Sequence, residues 1–138
     1  MELSYRYLML SNFTIFQKKV YEKLAESDFS MGQPKIFDFL FYNDGCMQKE
    51  IGYGCQIEPA SVTSILATME KNGYIRRENQ DGNRRSLFVF LTEKGKTAAE
   101  KVNRIMLELE DEALASLSPE ERKVFLNFLK KVNSNLVK

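Results

Sequence analysis

A chain of 138 residues with 43% hydrophobic and 28% charged side chains is long enough for one globular core and too apolar for wholesale disorder. It has no histidine, no tryptophan and two cysteines, which excludes Ser-His-Asp and Cys-His catalysis, His-ligated zinc or haem, and a tetrathiolate metal site. With 20 basic against 19 acidic residues, any case for a nucleic-acid partner must rest on where the charges lie.

The first ten residues carry Glu2, Ser4, Tyr5, Arg6 and Tyr7 and so lack the apolar stretch of a signal peptide. No run approaches the roughly 18 apolar residues of a membrane span. A cytoplasmic protein without membrane association is expected, with Cys46 and Cys55 as reduced thiols outside any C-x-x-C motif.

From Tyr5 to Ala25 there is no Pro or Gly, and Met9, Phe13, Phe16, Val20 and Leu24 recur at helical spacing. Tyr5, Leu8, Asn12 and Ile15 make a second, adjacent stripe. A helix with two apolar faces covers two surfaces, commonly its own core and a partner. Residues 27–32 read as a loop, and Pro34 suits the first turn of a short amphipathic helix with Ile36, Phe37, Leu40 and Phe41. Asn43-Asp44-Gly45 ends it. Met47 to Ile51 predicts a very short helical piece, broken by Gly52 and Gly54. Pro59 opens a longer helix whose apolar stripe is Val62, Ile65, Leu66 and Met69, and Asn72-Gly73 closes it.

Residues 74–78 and 86–91 are β-rich runs around Asp81-Gly82, a hairpin signal. Thr92 then caps a helix predicted to run from Glu93 to about Leu117, with Ala98, Val102, Ile105, Leu109 and Ala113 as its stripe. Ser118-Pro119-Glu120-Glu121 is a capping box for a last helix carrying Val124, Phe125, Phe128, Leu129, Val132 and Leu136. The fold class expected is mainly α (α+β), a winged helix-turn-helix with a two-stranded β-wing and terminal helices around it. No repeat or low-complexity segment interrupts it.

The helix from Pro59 to Lys71 presents Ala60, Ser61, Thr63, Ser64, Ala67, Thr68 and Lys71 opposite its apolar stripe. Such a face can press into a major groove, with hydroxyls reaching phosphates or base edges. Taken alone it is equally an ordinary small polar surface. The charges that follow favour DNA. Residues 71–85 hold Lys71, Arg76, Arg77, Arg84 and Arg85 against two acids, whereas residues 100–121 hold two basic groups against seven acids. A basic hairpin beside a small-faced helix is a footprint for a phosphate backbone.

Met47-Gln48-Lys49-Glu50-Ile51, Pro59-Ala60-Ser61-Val62-Thr63, Met69 through Ile75, and Arg85 through Leu91-Thr92-Glu93-Lys94-Gly95, in this order and spacing, resemble the MarR family of winged-helix transcriptional regulators. Leu117-Ser118-Pro119-Glu120-Glu121-Arg122 resembles the way that family opens its last helix, so the likeness spans essentially the whole chain 1–138. It implies a DNA-binding region at 33–92, a helical dimerisation region at 1–30 and 93–138, and a homodimer on a pseudo-palindromic double-stranded operator. It also implies a transcriptional regulator, a repressor in the commoner case. The DNA-contacting positions it implies are Ser61, Thr63, Ser64 and Arg85, with Gln48 and Lys49 at a helix start where backbone phosphates are often approached; the small polar face and the basic hairpin add Thr68, Lys71, Arg76, Asn83 and Arg84.

The family's wing often reads Asp-x-Arg-Asp-x-Arg. Aligned on Arg85, those places hold Gln80, Gly82 and Asn83, so the tip arginine is missing unless Arg84 substitutes, and wing contacts of a different shape are expected. Members often answer small phenolic or lipophilic effectors. Tyr5, Phe13, Phe16, Phe37 and Phe41 are the candidate lining here, although aromatics at helical spacing are more often plain core. The family's oxidant-sensing cysteine in the first helix is absent, and its zinc-sensing branch needs histidines. No cofactor, metal or catalytic residue is expected, and the chain does not read as an enzyme. The competing reading is a winged-helix module that binds protein and not DNA.

Overall fold

A computed structural model describes residues 3–79 and 87–137. The elements in order are α1 (Tyr5–Lys23), α2 (Gln33–Tyr42), β1 (Cys46–Met47), α3 (Gln48–Cys55), α4 (Pro59–Lys71), β2 (Ile75–Asn79), β3 (Leu87–Leu91), α5 (Glu93–Ala113) and α6 (Pro119–Leu136). By compactness the chain divides inside α5, into one unit up to Met106 and another from Leu107 onward.

In the first unit, Ile36, Phe37 and Leu40 of α2, Ile51 of α3, and Leu66 and Met69 of α4 are all fully buried, with Val89 of β3 beside them. Each large apolar side chain removed from water in this way contributes about 1.5–3 kcal/mol. Phe37 also meets the rings of Phe29 and Tyr74, at 4.8 and 5.1 Å between centroids.

The expected two-stranded wing is a three-stranded antiparallel sheet in the order β1-β3-β2. β1 pairs Cys46 with Val89 and Met47 with Phe88. A two-residue strand has no periodicity, so nothing local marks it. It is held by the Gly45 N–H donating to the Val89 carbonyl at 2.8 Å, and by the Asp44 carboxylate accepting from Leu91 N–H at 2.8 Å. The expected hairpin turn at Asp81-Gly82 lies outside the described residues.

The expectation that Gly52 and Gly54 break the third helix is corrected: α3 runs through both to Cys55. These glycines serve packing. A Cβ on Gly52 would stand 3.2 Å from the Ile57 carbonyl, and one on Gly54 would overlap the Phe39 ring. Their cost to the helix, about 1 kcal/mol each, is offset by the close approach of neighbours. Gln56, at φ 55°, then turns the chain from α3 into α4. α5 also ends at Ala113, short of the expected Leu117. Leu117 N–H closes a turn onto the Leu114 carbonyl at 3.0 Å, because Ser118 is already committed as the next cap.

The first turn of α5 meets the chain leaving α4. Gly73, at φ 81°, ends α4, with Tyr74 N–H donating to the Met69 carbonyl at 3.0 Å. The Thr92 hydroxyl donates to the Gly73 carbonyl at 2.6 Å and accepts from Gly95 N–H at 3.1 Å. A Cβ on Gly95 would lie 1.9 Å from the Tyr74 carbonyl oxygen, which is backbone and cannot rotate away. Gly95→Ala is therefore expected to lower stability by roughly 3 kcal/mol, the upper range for overpacking, in thermal or denaturant unfolding. Lys96→Ala, one residue on at an exposed site, should change it by less than about 0.5 kcal/mol. Equal effects would remove the close approach as the reason for glycine.

Candidate nucleic-acid interface

α4 divides as its sequence predicts. Val62, Leu66 and Met69 are buried, while Ala60, Ser61, Thr63, Ser64, Ala67, Thr68 and Lys71 are exposed. Pro59 in the first turn and Lys71 in the last fit the helix ends, where a missing N–H and a positive charge are each tolerated or favoured.

Two of the hydroxyls are spoken for. Thr63 Oγ1 donates to the Pro59 carbonyl at 3.1 Å, and Thr68 Oγ1 to the Ser64 carbonyl at 3.4 Å. A hydroxyl that has given its one proton to the helix presents only lone pairs. Thr63 and Thr68 therefore suit the amino groups of bases and not phosphate oxygens, which narrows the broader role read from sequence.

Gln48, the first residue of α3, donates from Nε2 to Thr63 Oγ1 at 3.0 Å, so two of the expected contact residues meet directly. Lys49 beside it is exposed, and so is Lys71. The α3 N-terminus is closed by Glu50, whose carboxylate accepts from Met47 N–H at 3.1 Å.

The basic stretch is less free than its charge count suggests. Arg76 pairs with Glu78 at 2.9 Å and lies over the Phe90 ring, 4.8 Å from its centroid. Arg77 pairs with Glu70 at 3.1 Å and is only 17% exposed. The basic stretch of residues 71–85 includes Arg77 and stops one residue short of its partner Glu70. A pair seven residues apart, one on a helix and one on a strand, leaves no local trace. Without Arg77, Glu70 would set an unpaired carboxylate at the end of α4. Asn83, Arg84 and Arg85 lie outside the described residues.

Residues 29–87 match the profile of the MarR family. A curated relative, the HTH-type transcriptional regulator BilQ of Clostridium symbiosum, is 25% identical over 128 residues, covering 93% of this chain and 87% of its own. Another, the uncharacterised HTH-type regulator YwhA of Bacillus subtilis, is 29% identical over 97 residues and 70% of each chain. Among solved structures, that of the MepR–DNA complex of S. aureus superposes with a TM-score of 0.87 at 26% identity, over 98% of this chain and 99% of that one. The chain is similar to the MarR family over residues 29–87, and to the MepR fold over nearly its whole length.

The five aromatics expected to line an effector site are spread over different environments. Phe37 is wholly buried in the core, Phe16 is half-buried, and Tyr5, Phe13 and Phe41 are 54%, 62% and 40% exposed. Phe37 is a core residue by this placement. Among the described residues, no group of three or more acidic or thiol side chains is placed to hold a metal ion.

Cys46 lies in β1 and Cys55 at the end of α3, where its thiol donates to the Lys35 carbonyl at 3.4 Å. Burial pushes both thiols up from 9.0 to about 11, with Glu50 adding to the rise at Cys46 and Lys35 opposing it at Cys55. Thiolate is the reactive form, so alkylation by iodoacetamide at pH 7.5 is expected to be slow, with labelling of the folded chain rising only toward pH 11. Because the folded state keeps these protons longer than the unfolded one, stability should also fall as pH climbs from 9 to 11. Rapid labelling of either cysteine at neutral pH, followed by mass spectrometry, would contradict this.

Proposed function

We propose that this chain is a homodimeric, sequence-specific double-stranded DNA-binding transcriptional regulator, acting as a repressor on a pseudo-palindromic operator. The observation that carries the reading is the exposed face of α4. It is small and hydroxyl-bearing, and Glu70, the one acid within α4, is neutralised by Arg77. The α4 helix enters the major groove, while Lys49 and Lys71 approach phosphates. Arg84 and Arg85 extend the contact along the backbone. The MepR structure named above, at 26% identity, is itself a complex with DNA, which supports the same placement.

The dimer part of the reading rests on unpartnered apolar surface. Leu8, Leu10, Phe13 and Ile15 of α1 are 44–62% exposed, and only Val20 of that helix is buried. α6 buries no residue, and its Val124, Phe125, Leu126 and Phe128 are 41–59% exposed. Apolar surface on this scale in water marks an interface. Residues 33–92 then form the DNA-binding region and 1–30 with 93–138 the dimerisation region. A two-fold dimer sets its half-sites about one helical turn apart, roughly 34–36 Å.

Release by a small lipophilic or phenolic effector belongs to this reading, with Tyr5, Phe13, Phe16 and Phe41 as its contacts. The protein works in the cytoplasm and needs no cofactor. No described helix is long and apolar enough to cross a membrane.

Solution mass should be twice that of the chain, and Phe13→Glu combined with Phe128→Glu should bring it to the monomer without unfolding. A monomeric parent would remove the dimer. Selection of bound duplexes from a random pool should return a two-fold motif, and failure to enrich any duplex would favour a protein-binding module. Lys49→Ala and Lys71→Ala should each weaken binding to all sequences and flatten the log K against log salt slope by about 1. Ser61→Ala should instead change which sequence is preferred.

A further inference from the structure

Four polar side chains from three elements form one hydrogen-bonded line behind the exposed face of α4. Both oxygens of Glu70 hold Arg77: Oε1 accepts from Nη2 at 3.1 Å and Oε2 from the Arg77 backbone N–H at 3.1 Å. Arg77 Nη1 donates to Gln48 Oε1 at 3.4 Å, and Gln48 Nε2 donates to Thr63 Oγ1 at 3.0 Å.

This line fixes which way the Gln48 amide faces. The Thr63 proton is already given to the Pro59 carbonyl, so Thr63 can only accept, and the amide NH2 must be the end turned toward α4. Arg77 has donors alone, so the amide oxygen must be the end turned toward β2. A flipped amide would set NH2 against guanidinium and oxygen against oxygen.

We propose that Arg77 is a positioning residue for base readout, acting through Gln48 to present a donor and an acceptor in fixed order to an adenine in each half-site. After its internal bonds Gln48 keeps one amide N–H and one Oε1 lone pair. Adenine shows an acceptor, N7, beside a donor, N6, on its major-groove edge, the match for a glutamine amide. Guanine shows two acceptors there and would leave Oε1 unpaired. The assignment gives Gln48 a base where the family resemblance implied phosphate. It rests on the DNA-binding reading above.

The test is duplex selection from a random pool with the full chain, its Gln48→Ala, Gln48→Glu and Arg77→Lys variants, and the charge-matched pair Glu70→Gln with Arg77→Met. Affinity for a non-specific duplex across salt concentrations is measured alongside. The parent should enrich adenine at one position per half-site, by on the order of tenfold. Gln48→Ala, Arg77→Lys and the charge-matched pair should each lose that preference, with other positions and the salt slope unchanged. Gln48→Glu, an acceptor alone, should turn the preference toward cytosine.

An adenine preference surviving both Arg77 variants would overturn the positioning role. A uniform loss across sequences, with a salt slope reduced by about 1 in Gln48→Ala, would make Gln48 a phosphate contact and overturn the base assignment. A parent that selects a clear motif independent of Gln48 would overturn this inference alone. A parent that binds no duplex would overturn the DNA-binding reading with it.

Discussion

The contact between the start of α5 and the chain leaving α4 is the constraint on which the helix-turn-helix and its sheet depend. Gly73 turns the backbone out of α4, Tyr74 carries it toward β2, and the Thr92 hydroxyl and Gly95 hold that stretch from the other side. Tyr74 adds its own ties: its phenol donates to Asp28 at 2.7 Å, its ring packs on Phe37, and Lys94 lies over its face at 4.3 Å. Burial and the Asp28 bond push that phenol up to about 12, so it stays a donor at any physiological pH. One short segment thus joins α4, the sheet and the start of α5. Moving it would move the face that α4 presents.

Electrostatics at this surface concern arrangement more than total. The near-neutral sum of 20 against 19 hides a basic hairpin, but two of the hairpin's arginines are internally committed. Exposed pairs such as Arg76–Glu78 add little to stability, typically under about 1 kcal/mol. Their effect is to set where positive charge is available and where it is not. Arg77 neutralises the Glu70 carboxylate on α4 and gives a second donor, from Nη1, to Gln48, so an ion pair that looks structural also orders the polar groups in front of it.

The apolar faces of α1 and α6 show a different use of the same chemistry. In α2, α3 and α4 the stripes meet one another and disappear into the core. In α1 and α6 much of the apolar surface, from Leu8 to Ile15 and from Val124 to Phe128, remains in water. Periodicity reports that a face is apolar, and only the packing of the remaining chain reports whether something is left to cover it.

What the sequence determined by itself is the set of features whose cause lies within three or four residues. The Ser118–Glu121 capping box forms with both of its bonds, at 3.2 and 2.9 Å, because the two partners are one turn apart. Asn72-Gly73 and Thr92 end and begin helices as their side chains dictate, and the stripes of α2 and α4 choose the faces that become buried. Tertiary structure alone decided the rest. β1 exists because β3 runs beside it, Val89 and Phe88 lying 43 and 41 residues beyond their partners Cys46 and Met47. Gly52 and Gly54 sit inside a helix because Ile57 and Phe39 press on it. Arg77 was drawn in behind α4 by partners 7 and 29 residues away. Such features depend on which distant groups come within hydrogen-bonding or van der Waals reach, and that distance does not exist until the chain has folded.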